Sequence, residues 1–62
     1  MKVIEAKFED ATVRFSVYDH ASVDAITEIA QEDLREECGV DPLLSEVEWT
    51  IVDRYEGAYR GD

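Results

Sequence analysis

Three stretches of this chain alternate apolar and polar residues, and one repeats its apolar residues at helical spacing. In residues 2–8, KVIEAKF, Ile4, Ala6 and Phe8 fall on one side and Val3, Glu5 and Lys7 on the other. That period of two marks a strand buried on one face. Residues 12–18, TVRFSVY, alternate again, with Val13, Phe15 and Val17 inward and Thr12, Arg14, Ser16 and Tyr18 outward. The polar break Glu9–Ala11 between them predicts a β-hairpin of open turn type, since it lacks an Asn-Gly or Asp-Gly pair. Residues 46–54 form the third strand: Val47, Trp49 and Ile51 face in, and Glu46, Glu48, Thr50 and Val52 face out.

Between the second and third strands, the spacing predicts a helix over 23–38. Its apolar stripe is Val23, Ile26, Ile29, Ala30, Leu34 and Cys38. Ser22 precedes it as an N-cap and Asp24 suits the first turn. Gly39 follows as a left-handed C′ residue, Val40 is placed to fold back onto Leu34 in a Schellman cap, and Pro42 blocks extension. Leu43 and Leu44 are expected to tuck over the end of the core, and the tail, 56–62, to fray.

One apolar helix stripe covering one apolar sheet face makes an α+β, two-layer ββαβ sandwich. The sheet should be three-stranded and antiparallel in the order 2-1-3. On its outer face, Lys7 and Arg14 should lie close to Glu5 and Glu48. With 62 residues, residues 1–62 form a single domain with little room for a deep catalytic cleft.

Charge changes the picture. Sixteen Asp and Glu against six Lys and Arg leave a net charge of −10. Such a chain repels nucleic acid and anionic membrane and attracts basic protein surfaces. The acids concentrate on the helix: residues 22–38 hold six acids and one base. Asp24, Glu28, Glu32 and Glu36 are four apart and form one row, and Asp33 and Glu37 form a second pair beside it. Like charges at this spacing cost about 0.2–0.5 kcal/mol per pair. Glu36 and Glu37 also sit in the last turn, where the helix dipole disfavours anions. From Asp24 to Glu36 the row extends roughly 18 Å, with a carboxylate about every 6 Å. Duplex DNA likewise presents its negative charge in a regular array.

Other chemistry finds little support. Paired-carboxylate catalysis needs environments that separate two pKa values, and these carboxylates all face solvent. His20, the only histidine, lies near Asp19 and Asp24 but lacks the further ligands of a transition-metal site. No EF-hand loop or phosphate loop is present. Cys38, the only cysteine, rules out an internal disulfide and is expected to be a small core residue. Catalytic, metal and cofactor sites are therefore assigned to none, and the chain is not expected to be an enzyme. Arg60-Gly61-Asp62 matches an integrin-binding tripeptide, a coincidence of three residues. With no membrane-length apolar run, no signal-peptide pattern at MKVIEAKFED and no disulfide framework, the expected compartment is the cytoplasm.

The small size, strong acidity and carboxylate row of Asp24, Glu28, Glu32, Asp33, Glu36 and Glu37 resemble phage-encoded inhibitors of host defence, the anti-CRISPR proteins and other DNA mimics. The similarity is one of character, and no family residue carries over. It implies a non-enzymatic inhibitor acting in a host cytoplasm on a basic, nucleic-acid-binding protein or nuclease complex, without binding nucleic acid itself. Residues 1–44 are also similar to the first part of a ubiquitin-like β-grasp domain, but the chain is too short for the later strands and ends in Gly-Asp. The competing expectation is a small structural or adaptor domain, with the acids serving only solubility. It would homodimerise or bind a partner through its sheet face or edge, using Val3, Tyr18, Val52 and Tyr55. Monomer and homodimer both remain open.

Overall fold

The computed structural model describes residues 1–54; Tyr55 and the tail, expected to fray, lie outside the described residues. Strand β1 spans Lys2–Phe8, β2 Ala11–Val17, helix α1 Val23–Cys38, a short 3-10 turn Leu44–Glu46, and β3 Glu48–Arg54. The sheet has three strands in the order β2-β1-β3, and both pairings are antiparallel. This is the α+β sandwich that the alternation predicts, with the helix on one face.

The element ends differ from expectation by small amounts, each with a local cause. Phe8 pairs with Ala11, so the hairpin turn is only Glu9-Asp10 and β2 begins one residue early. Positive φ falls on Glu9 alone, at 54°, the sign pattern of a type II′ turn. A non-glycine residue there costs about 1–2 kcal/mol. Strand β2 ends at Val17 because the Tyr18 carbonyl accepts the Ala21 N–H at 3.1 Å and turns the chain towards the helix. The third strand begins at Glu48 rather than residue 46. Glu46 N–H donates to the Leu43 carbonyl at 2.9 Å, and its carboxylate Oε1 accepts the Leu43 N–H at 2.8 Å. Those bonds hold residues 44–46 in a 3-10 turn. Further on, the register passes from Ile4–Ile51 to Val3–Asp53, so Val52 is the extra residue of a β-bulge.

The helix is capped as its flanking residues require. Ser22 Oγ accepts the Ala25 N–H at 3.1 Å. Gly39 adopts φ 72° and its N–H donates to the Arg35 carbonyl at 3.2 Å. That single five-to-one bond is the simple left-handed cap, where the sequence suggested a Schellman pair. Val40 nevertheless folds back onto the Ala6, Val13, Ala30 and Leu34 cluster.

The core is narrower than the predicted stripe. Ile26, Ala30 and Leu34 are buried, together with Ile4, Ala6, Val13 and Val17. Phe15 and Trp49, both half-buried, touch both ends of this core. Three of the expected stripe residues are not in it. Val23, in the first helical position, precedes the first residue seated on the sheet, Ile26, and is exposed. Ile29 is one residue step, about 100°, away from Ala30 round the helix, and is also exposed. Cys38 ends the helix where Val40 takes over the covering role; it is exposed, with Sγ 4.0 Å from the Thr12 carbonyl oxygen. Leu43 and Leu44 do not tuck in. Pro42 fills that place, fully buried, and both leucines are exposed.

Candidate interaction surface on the helix

The rotation of α1 about its own axis decides where its carboxylates point, and three anchors fix it. The Ile26–Ala30–Leu34 line is seated on the sheet. On one flank Thr27 Oγ1 accepts the Trp49 indole N–H at 3.0 Å, while its own hydroxyl donates to the Val23 carbonyl at 2.9 Å. One turn on, Gln31 Nε2 donates to the Pro42 carbonyl at 2.8 Å. With that side tied down, Asp24, Glu28, Glu32 and Glu36 are turned to solvent, and all four are exposed. Each four-residue step advances about 40° round the helix, so the row winds gently. The core line winds with it, and the two stay on opposite sides.

Asp33 and Glu37 stand apart from that row. Glu37 is exposed; Asp33 is half-buried, about 100° round from Glu32 towards the core line. Partial burial, followed by repulsion from Glu37 and Glu32, raises the Asp33 pKa above its ordinary 3.8. The six candidate acids thus form an outward stripe of four and a flanking pair.

The electrostatics of the stripe depend on where the nearby cations go. Arg35 is the only base between residues 22 and 38, and it lies within helical reach of Glu32, three residues before it. Instead its Nε donates to Asp41 Oδ1 at 2.7 Å, beyond the Gly39 cap. Arg14 holds Glu5 at 3.0 Å across the outer sheet face, and the amino group of Met1 holds Asp19 at 3.0 Å. Among the described residues no ion pair engages Asp24, Glu28, Glu32, Asp33, Glu36 or Glu37.

No family model, curated relative or solved structure matches this chain.

The residues of the competing sheet-face surface are placed less compactly. Val3 is half-buried in the central strand, opposite Asp53 of β3 and Ser16 of β2. Val52 is exposed at the bulge. Tyr18, also exposed, lies just beyond β2 with its ring stacked on His20 at 5.7 Å. His20 is thus engaged by an aromatic ring. Asp19, beside it, is drawn to the Met1 amino group, which holds its pKa below the ordinary value. Among the described residues no group of three or more His, Cys, Asp or Glu is arranged to hold a metal ion. No helix among them is long and apolar enough to cross a membrane.

Sequence spacing located the outward carboxylates. It missed Thr27 and Gln31, whose side-chain bonds set the helix rotation. It also missed Asp41, whose pull on Arg35 leaves the stripe without a cation among the described residues. A polar residue on the core-facing flank, one step from Ile26 or Ala30, was the available signal for the first two.

Proposed function

We propose that this chain is a non-enzymatic inhibitor that occupies a basic, nucleic-acid-binding surface of another protein, with the outer face of α1 standing in for a phosphate backbone. One observation carries the reading: four exposed carboxylates repeat along a rigid helix, and the one base of that helix is bound to Asp41 instead. A groove lined with Lys and Arg for phosphates meets in this stripe a regular row of negative charge, about one per 6 Å against one per about 3.4 Å along a DNA strand. Glu28, Glu32 and Glu36 make the central contacts, Asp24 the edge, and Asp33 and Glu37 the flank. Association is fast, electrostatically steered and weakened by salt. The partner class is a nuclease complex or other basic nucleic-acid-binding protein, as for an anti-CRISPR-type DNA mimic.

The test is competition. The chain is added to RNA-guided nuclease complexes and target-DNA binding is followed by gel shift. Wild type displaces DNA from its partner, and E28Q/E32Q/E36Q does not, although it folds. A triple variant that inhibits as well as wild type refutes the reading.

A second reading draws on the sheet. Strands β2 and β3 are both edges, and Val52 and Tyr18 are exposed. An adaptor that pairs through this side would be a tight homodimer whose light-scattering mass is indifferent to salt.

A further inference from the structure

A shallow groove runs between the N-terminal half of α1 and the 3-10 turn. Asp24, Thr27 and Glu28 form one wall, and Leu44 and Ser45 the other. Leu44 is 46% exposed and Leu43, beside it, 65%. Their exposure is imposed from both sides. Behind them Pro42 is fully buried, its carbonyl held by Gln31. Ahead, the Leu43 N–H is bound by the Glu46 carboxylate at 2.8 Å. Two adjacent leucines are thus exposed, and Leu44 faces across the groove two carboxylates that no cation of the described residues engages.

We propose that this groove takes a basic, apolar segment of a partner protein. An apolar side chain covers Leu43 and Leu44, and a neighbouring Lys or Arg reaches Asp24 and Glu28, whose Cβ atoms lie about 5–6 Å apart. The idea deepens the acidic-face reading and rests on it, because Asp24 and Glu28 begin the same stripe. Charge decides the occupant. Another copy of this chain brings sixteen acids and six Lys and Arg, and two of those cations, Arg14 and Arg35, already hold Glu5 and Asp41. A cationic partner meets no such repulsion, and its apolar residues gain the leucines as contacts. Phosphate mimicry alone would explain the carboxylates but not the leucines.

A natural probe adjoins the groove wall. Trp49 is the only tryptophan, and its indole N–H donates to Thr27 Oγ1 in the groove wall at 3.0 Å. Two synthetic peptides of equal positive charge, one alternating Lys with Leu and the other Lys with Ser, are titrated into the isotope-labelled full chain. The Lys–Leu peptide should bind about tenfold tighter, the scale of one partly buried leucine. It should also shift the Trp49 indole and Leu44 amide resonances. L43S/L44S, which alters only exposed side chains, should bring the two affinities together. Equal affinities for wild type, or shifts confined to residues 32–37, would overturn the groove while leaving the acidic face intact. If neither peptide binds, the acidic-face reading falls with it. Self-association that is lost in L43S/L44S, without peptide binding, would make a second copy the occupant and overturn the proposal.

Discussion

The outer face of the sheet and the outer face of the helix are both turned to water, and they treat charge in opposite ways. On the sheet, Glu5 is paired with Arg14 at 3.0 Å, and Lys7 stands in register with Glu48. Signs alternate across strands, as they do on a face that only needs to stay solvated. On the helix, Asp24, Glu28, Glu32 and Glu36 follow one another without a cation between them, and Arg35 turns away to Asp41. Both arrangements occur in one chain of net charge −10. An acidic composition therefore does not by itself force like charges into a stripe. The sheet shows that opposite-sign pairing is available to this sequence, and the helix omits it at a cost to its own stability.

If the inner side of α1 is what holds the stripe outward, the largest effect should come from Leu34, which is fully buried. Leu34→Ala should destabilise the fold by about 2–5 kcal/mol, enough to unfold much of a domain this small. Urea denaturation checks it. A loss below about 1 kcal/mol would mean that the helix is not seated as described.

The converse holds on the outer side. E28Q/E32Q/E36Q removes three like-charge contacts at four-residue spacing and should raise the unfolding free energy at low salt by about 1 kcal/mol. The sheet contrast is Glu5→Gln, which leaves Arg14 without its partner and should lower stability by about 0.2–1 kcal/mol. Opposite signs for the two substitutions would confirm the contrast between the faces.

A smaller effect isolates Arg35. In Asp41→Asn it loses its partner beyond the cap and is free to lie over Glu32. Affinity for a cationic partner should then fall by about two- to fivefold, with fold stability changed by less than about 1 kcal/mol. Calorimetry of the same peptide with both proteins measures it.

The smallest effect is in pH. Asp33 has a folded-state pKa raised by burial and by Glu37 and Glu32. Its favourable contribution is therefore complete below the unfolded value near 3.8 and is lost as pH rises through the raised folded value. On acidification from neutrality this residue should add stability as pH falls through its raised folded value, and Asp33→Asn should flatten that rise. Asp19 has the opposite sign: its lowered pKa gives stability that is present above the ordinary carboxylate range and lost as pH falls through the folded value.

Much of the architecture was legible because local signals agreed. Ser22 and Gly39 bounded the helix, and the alternation of β1, β2 and β3 set the faces of the sheet. What stayed hidden depends on where elements stop relative to one another. Helical periodicity places Val23, Ile29 and Cys38 near the apolar side, but cannot tell how the helix is rotated on the sheet or which of its turns the core fills. Nor does alternation reveal that Glu46 caps its own turn, that Val52 is bulged, or that Pro42 rather than Leu43 and Leu44 closes the core. The candidate surface divides similarly. The outward row follows from four-residue spacing. Its lack of a cation does not, since Arg35 chooses between Glu32 and Asp41 only once the chain has turned at Gly39.

The central physical claim is that the described residues leave the stripe unneutralised, and salt tests it most directly. At about 10 mM salt the Debye length, roughly 30 Å, exceeds the whole row; at about 1 M it is roughly 3 Å, shorter than the step between carboxylates. Urea denaturation of wild type and of E28Q/E32Q/E36Q should be compared at these two concentrations. The account predicts that wild-type stability rises with salt clearly more than that of the variant, so that the gap between them closes at high salt. Parallel salt responses, or a wild type that salt weakens, would mean that the carboxylates are already matched by cations, and would contradict it.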